Sequence, residues 1–407
     1  MKIHTIETIH NPGWSNYVWV RIGTEAGWGL GETFRHATPI IRYLHDHVAP
    51  SILGSDAGAI NAITHRLARE GGTRFLGYPT RSVEIRANSA VDIALWDHNA
   101  RAVSQSLSRY LGGPFRDSIP IYNTCAGPGY NTHGGIYRAR TVKEGSATPL
   151  LVDGVSDDLA LQIQDPAALA QSLLNEGIGA MKIWPFDEAG DRNRGQRISA
   201  DEMKTALSKI SAIRDAVGDR IEILLEYHGL WRPAIARRIL AEVDQFRPFW
   251  HEDPIPMEHI AALAELRQRC ASPIAGSESH GTALWFKDAL SASALDFAHF
   301  DIGWVGGISE ALKVAHITDA YDVMIAPHDC TGPVTWIANL HLALSQPNSL
   351  WLESVRAYYN GHYRRMVTTL PTVKDGRAVA IDAPGLGTEL SEELLDHPDT
   401  VIERSTL

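Results

Sequence analysis

The chain has 407 residues, a formal net charge of −11 and 44% apolar residues, the composition of an ordinary globular protein with room for a barrel of about 250 residues and a second domain. The acidic balance excludes nucleic acid and anionic membranes as partners, and no apolar stretch approaches the roughly 20 residues needed to span a bilayer. Three scattered cysteines, Cys125, Cys270 and Cys330, without CxxC spacing, exclude a disulfide frame or a zinc site. The opening Met-Lys-Ile-His-Thr lacks the apolar region of a signal peptide, so a cytoplasmic location is expected.

Residues 1–33 alternate as strands do: Tyr17-Val-Trp-Val-Arg-Ile, a turn at Thr24-Glu-Ala-Gly27, then Trp28-Gly-Leu-Gly-Glu32. This predicts an antiparallel hairpin or meander. Residues 38–110 have helical period, with Ile40, Ile41, Leu44 and Val48 on one apolar face and a largely buried stretch from Val91 to Val103. Strands followed by helices indicate an α+β domain. From 118 the rhythm becomes strand, helix, strand. Barrel strands are predicted to end near Tyr122, Lys182, Glu226, Glu252, Glu278, Asp301, Pro327 and Glu353. Helices are expected over Ser199–Val217, with Ser199 as N-cap, Ile260–Arg269 and Gly307–Tyr321. The gap from Tyr122 to Lys182 is too long for one such unit. Its part 126–164, rich in Gly, Thr and Arg, is expected on the catalytic face as a lid or an oligomer contact, with no role assigned to Tyr137, Arg138 or Arg140. After 365, the stretch Ala378-Val-Ala-Ile-Asp382 and Pro384-Gly-Leu-Gly387 are expected to pack back on the N-terminal domain.

Glu226, Glu252 and Glu278 follow one another at intervals of 26 residues, each where an apolar run ends. That interval fits one strand–helix unit of a β/α barrel. Three carboxylates at the same end of successive parallel strands converge on one point, an oxygen-rich site for a hard divalent cation such as Mg²⁺. Asp301 and His328 close the next two strands. A carboxylate beside an imidazole fixes its tautomer and makes the other ring nitrogen more basic, so the pair is a candidate general base. His228 lies two residues beyond Glu226, on the same side by strand alternation, and is placed as a general acid for a departing hydroxyl. Lys182 ends an apolar strand and is expected to pair with a substrate carboxylate, so that an anion can bind to an acidic protein. Glu353 closes the last strand, where its role depends on protonation: as an acid it can hydrogen bond a developing enediolate, whereas ionised it repels one. Together these groups suit abstraction of a proton α to a carboxylate.

At this point the chain resembles the mandelate racemase subgroup of the enolase superfamily over nearly its whole length. The residues that carry the resemblance are Gly27-Trp-Gly-Leu-Gly-Glu32, Val91-Asp-Ile-Ala-Leu-Trp-Asp97, Leu111-Gly-Gly113, the three glutamates, Asp301 with Gly306-Gly307, His328 and Pro384-Gly-Leu-Gly387. The resemblance implies an α/β fold: a modified (β/α)₇β TIM barrel at 118–364 carrying the active site, an N-terminal α+β capping domain at 1–117 and a C-terminal segment, 365–407, that rejoins the cap. It also implies one Mg²⁺ and assembly as a homo-oligomer, dimer or octamer. Cap loops, here Pro12-Gly-Trp14-Ser-Asn16, are implied to help choose the substrate, and Trp14, Trp184 and Trp304 are candidate contacts to it. Racemases of this subgroup carry Lys-x-Lys on the second barrel strand. Here Lys182 matches the first lysine and Trp184 stands where the second, the opposing base, would be. Glu-Tyr-His228 and Ala-Pro-His328-Asp-Cys-Thr-Gly-Pro resemble the galactonate and mannonate dehydratase branches, where the two histidines are implied to act as acid and base. A metal ligand that is Glu226, where many relatives have Asp, fits the same branch. The expected reaction is dehydration of an aldonic or related acid sugar to a 2-keto-3-deoxy acid. One alternative is a racemase or epimerase using His228 as second base. Another is a catalytically silent barrel serving as a scaffold or binding protein.

Overall fold

In the computed structural model, which describes residues 1–69, 82–132, 151–152 and 154–407, the alternating N-terminal stretch forms the meander β1 (Thr5–His10), β2 (Tyr17–Thr24) and β3 (Gly27–Phe34). Helices Ala37–Tyr43, Ile60–Arg69 and Val83–Ala102 accompany it. Val18, Val20 and Ile22 of β2 share a core with Ile40, Ile41, Leu44, Val91, Ala94 and Leu95. The contact between β3 and the long helix needs glycine, because a Cβ at Gly31 would stand 1.9 Å from the Ala90 carbonyl oxygen.

After β4 (Ile119–Thr124) comes a short hairpin, β5 (Leu151–Val152) and β6 (Val155–Ser156). Then follow β7 (Ala180–Ile183), β8 (Glu222–Glu226), β9 (Trp250–Glu252), β10 (Ile274–Gly276), β11 (Phe297–Ala298), β12 (Met324–Ile325) and β13 (Leu352–Ser354). The strands β4, β7, β8, β9, β10, β11 and β12 pair in parallel in that order, and β13 pairs in parallel with β4. The remaining seam is closed by the residues that lead into β13: Ile325 N donates to Asn348 O at 3.0 Å and Leu350 N donates to Ile325 O at 2.9 Å. Among the described residues, eight parallel strands thus close a barrel, and helices on the connections cover it. One of these, Ala200–Val217, starts on a capping box: Ser199 Oγ accepts from Glu202 N while the Glu202 carboxylate accepts from Ser199 N. Tyr122, Leu224, Trp250, Ala275 and Ala326 fill the barrel interior.

Three buried carboxylates dock the N-terminal layer, two of them onto barrel helices and the third onto the C-terminal segment. Glu32 on β3 accepts from Thr335 N at 2.8 Å in the first turn of helix Pro333–Ser345. Asp92 accepts from Ser309 N at 2.9 Å at the start of helix Gly307–Ala320. Asp97 accepts from Leu30 N at 2.8 Å and Leu386 N at 2.6 Å, and pairs with Arg101. The sequence patterns around Glu32, Asp92, Asp97 and Leu386 are therefore docking devices. The C-terminal stretch serves both layers. β14 (Thr372–Lys374) and β15 (Arg377–Val379) form a hairpin whose second strand pairs antiparallel with β4 of the barrel, while β16 (Val401–Thr406) pairs with β1. Tyr137, Arg138 and Arg140, with residues 133–150 of the 126–164 stretch, lie outside the described residues.

Candidate active site

The C-terminal ends of the barrel strands bring the charged residues together. Lys182, on β7, is 2% exposed, and its Nζ lies 2.7 Å from Glu252 Oε1, 2.8 Å from Glu353 Oε1 and 3.8 Å from Glu226 Oε2. Burial works against its charge, but Glu252, Glu353, Glu226 and Glu278 outweigh burial and hold it well above the usual lysine range. Glu353 also accepts from Tyr122 OH at 2.9 Å, from Thr124 Oγ1 and from Asp329 N at 3.1 Å. Burial opposes its ionisation, yet Lys182, His328 and His299 keep its carboxyl below the usual range. The ionised form is thus the one its surroundings stabilise.

His299 sits at the centre of this cluster. Its Nδ1 lies 2.9 Å from Glu252 Oε1, and its Nε2 lies 3.1 Å from Glu353 Oε2 and 2.7 Å from Tyr122 OH. Glu252, Glu278 and His299 each offer one ligand atom within 4.8 Å of the others, a group able to hold a metal ion. Glu226 adjoins it. Its Oε1 accepts from the backbone N–H groups of Tyr227 and His228, while its buried Oε2 makes no hydrogen bond among the described residues. Burial and the neighbouring Glu252 charge push Glu226 well above the carboxylate range, whereas Glu252 is held below it, against burial, by His299 and Lys182. Burial, Glu278 and Glu252 lift Asp253 to about 8. Crowded carboxylates, one with a buried oxygen that makes no hydrogen bond among the described residues, form a donor set able to hold a hard divalent cation.

On one side of this cluster stands His328. Its Nδ1 lies 2.8 Å from Asp301 Oδ2 and its Nε2 2.9 Å from Glu278 Oε2. Asp301 is itself fixed by Gly303 N, which donates to Oδ1 at 2.7 Å, and a backbone bridge pairs Asp301 with His328. Burial would lower the imidazole's pKa, but Glu278, Glu353 and Asp301 raise it well above the usual range. Trp304 packs 5.4 Å from the His328 ring, and the Arg86 guanidinium lies 4.2 Å above Trp304.

The other side carries His228, a residue with left-handed backbone at φ 48°. Its Nδ1 lies 2.6 Å from Asp187 Oδ2. Burial lowers its pKa, but Asp187 raises it further, to about 9. Trp184 meets the His228 ring edge-on at 5.9 Å and packs at a tilt against Tyr130 at 5.5 Å.

The structure therefore brings together Lys182, Glu226, Glu252, Glu278, Asp301, His328 and Glu353, with Trp304 against His328 and Trp184 against His228. Trp14 is placed differently: it is 8% exposed, and the Arg365 guanidinium lies 5.1 Å above its ring. Its loop reaches the barrel through Asn16, which donates to Asn131 O at 2.9 Å, while Asn131 donates to Cys330 O at 3.1 Å. Sequence spacing missed His299, Tyr122 and Asp187. His299 was within reach, since it precedes Asp301 by two residues and strand alternation points both the same way.

Residues 4–112 match the mandelate racemase / muconate lactonizing enzyme N-terminal domain, and residues 165–394 match the enolase C-terminal domain-like family. A D-galactonate dehydratase from Pectobacterium atrosepticum is 27% identical over 100% of this chain and 94% of its own. One from Xanthomonas oryzae pv. oryzae is 26% identical over 97% and 94%. Among solved structures, an enolase of the mandelate racemase subgroup from Agrobacterium tumefaciens, containing sodium and phosphate, superposes with a TM-score of 0.87 at 37% identity, covering 100% of this chain and 99% of that one. An enolase from Sargasso Sea environmental sequencing gives 0.86 at 36% identity with the same coverage. The chain belongs to the enolase superfamily, in its mandelate racemase / muconate lactonizing enzyme family, among members that resemble acid-sugar dehydratases.

Proposed function

We propose that this enzyme is a hydro-lyase that dehydrates an aldonic or related acid sugar to a 2-keto-3-deoxy acid. The observation that carries this reading is the pair of imidazoles, His328 and His228, each backed by its own carboxylate, just beyond β12 and β8 at the end of the barrel that carries a cluster of glutamates. Glu226, Glu252 and Glu278 would hold one Mg²⁺, with His299 behind Glu252. When bound, the cation offsets negative charge that develops on the substrate carboxylate as the α-proton leaves. Lys182 supplies the chain's own positive charge beside that carboxylate. His328, oriented by Asp301, takes the α-proton. Trp304 and Trp184 line opposite sides of the sugar. His228 gives a proton to the leaving β-hydroxyl, which departs as water. The enol so formed takes a proton at C3 and becomes the keto acid.

An epimerase would use His228–Asp187 as a base on the opposite face, so the product distinguishes the two reactions. The enzyme is read as a cytoplasmic homo-oligomer; no helix among the described residues is long and apolar enough to cross a membrane. A panel of acid sugars with Mg²⁺ tests the function. Keto acid should accumulate from at least one of them and vanish with His328→Asn. Turnover unaffected by that substitution would remove the base assigned here.

A further inference from the structure

We infer that Asp187 is the positioning residue for His228 and decides whether removal of the α-proton goes on to loss of water. This inference rests on the dehydratase reading. His328 has a recognised orienting carboxylate in Asp301, but the opposite imidazole needs one as well. A ring that delivers a proton to a leaving oxygen must present one nitrogen to the substrate in a fixed direction.

Asp187 Oδ2 takes the Nδ1 edge of His228 at 2.6 Å. Among the described residues no hydrogen bond occupies Nε2, the edge left for the pocket. Trp184 stands edge-on against the ring and limits its rotation from a second side. The carboxylate and the imidazole come from different connections, Asp187 from the helix Asp187–Asn193 after β7 and His228 from the turn after β8. A backbone contact locks these connections together: Arg232 N donates to Gly195 O at 3.0 Å, while Gly229 N ties the turn of His228 to the connection after β9 by donating to Asp253 O at 2.7 Å. A Cβ at Gly195 would stand 1.9 Å from Leu230 O, so the approach leaves no room for adjustment. The left-handed backbone of His228 costs about 1 kcal/mol or more in a non-glycine residue, and strain of this kind is held where a side chain must be aimed. The Asp187 carboxylate keeps its other oxygen buried, with no hydrogen-bond partner among the described residues, so the carboxylate faces the imidazole and little else.

The elimination breaks Cα–H, whose proton goes to His328, and then Cβ–O, whose oxygen takes a proton from His228 and leaves as water. Without Asp187 the first step survives and the second slows. The enolate then returns its proton, and the substrate exchanges its α-hydrogen with solvent. The test is the ratio of exchange to elimination in D₂O with the full-length enzyme, Mg²⁺ and the acid sugar that gives keto acid. Asp187→Asn keeps a hydrogen-bond acceptor without the charge, and Asp187→Leu removes both. Both should lower keto-acid formation by about tenfold or more, while deuterium enters C2 of recovered substrate at least as fast as with the native enzyme and KM changes little. His228→Asn should give the same partition. Exchange and elimination falling together by one factor, or neither changing, would overturn the role of Asp187. A shifted partition in His228→Asn but not in the Asp187 variants overturns this inference alone, whereas a native enzyme that makes no keto acid overturns the dehydratase reading with it.

Discussion

Replacing Arg356 with methionine tests the clasp that ties the first barrel strand to the last. Arg356 follows β13 and is 2% exposed. Its Nε and Nη2 donate to the two oxygens of Asp158 at 2.8 and 2.6 Å, and its Nη1 donates to Ser172 Oγ at 3.0 Å and to Glu176. Its backbone N–H donates to Asn123 Oδ1 at 2.9 Å, and Asn123 Nδ2 donates to Asp158 Oδ2 at 2.9 Å. The neighbouring Thr124 donates to Glu353, so the clasp also sets the position of a site carboxylate. Methionine keeps the apolar stem but leaves the fully buried Asp158 with an amide and a hydroxyl as partners and no countercharge. Breaking a buried pair from one side costs about 3–5 kcal/mol, and that loss is expected in urea denaturation of Arg356→Met. The double variant Arg356→Met/Asp158→Leu removes the stranded charge, so it should recover at least half of the loss, read as a double-mutant cycle. A single substitution costing less than about 1 kcal/mol, or a double variant whose losses simply add, would refute the assignment of a buried clasp.

His328→Asn should abolish turnover, because a positioned base is worth about 10²–10⁴-fold, while divalent-cation affinity measured by calorimetry stays nearly unchanged. Glu252→Gln should do the reverse first: cation binding, followed by the resonance of added Mn²⁺, is expected to weaken by more than about 100-fold, since even supporting residues around a metal are worth 10–100-fold. Binding as tight as in the native protein would remove Glu252 from the ligand set. Glu32 gives a pH signature in stability. Burial lifts its carboxyl to about 8 against the pull of the Thr335 N–H. An unfolded glutamate titrates near about 4.3, so between these values the folded state holds a proton that the unfolded state has lost. Stability is therefore expected to fall as pH rises from about 4.5 to 8, and Glu32→Gln should flatten that fall in thermal melts. An unchanged slope in the variant would show that Glu32 does not carry the effect.

Much of the barrel was legible because its period is carried by chemistry-bearing residues. The interval of 26 between Glu226, Glu252 and Glu278 is one strand–helix unit, and similar intervals of 23 and 27 lead on to Asp301 and His328. β8 and β9 end on Glu226 and Glu252, Glu278 stands just past β10, and Asp301 and His328 form a bridge just past β11 and β12. Pairing across the barrel was not legible, because it depends on which side chains meet through the interior. His299 touches Glu252 and Glu353, which lie 47 residues before it and 54 after it. Asp187 opens the short helix Asp187–Asn193, five residues past Lys182, where no alternation or interval points to a partner; only the packing of two neighbouring connections reveals it. The tail was legible in part. Pro384-Gly-Leu-Gly387 does return to Asp97, but the strand-like stretch before it joins β4 of the barrel, since an exposed strand edge takes the nearest open partner.

Nuclear magnetic resonance of the native enzyme turning over an acid sugar with Mg²⁺ in D₂O tests the chemistry most directly. The expected product is a 2-keto-3-deoxy acid carrying deuterium at C3, where the enol collects its proton from solvent. Deuterium at C2 with every hydroxyl retained and the configuration inverted would show an epimerase and contradict the elimination proposed here.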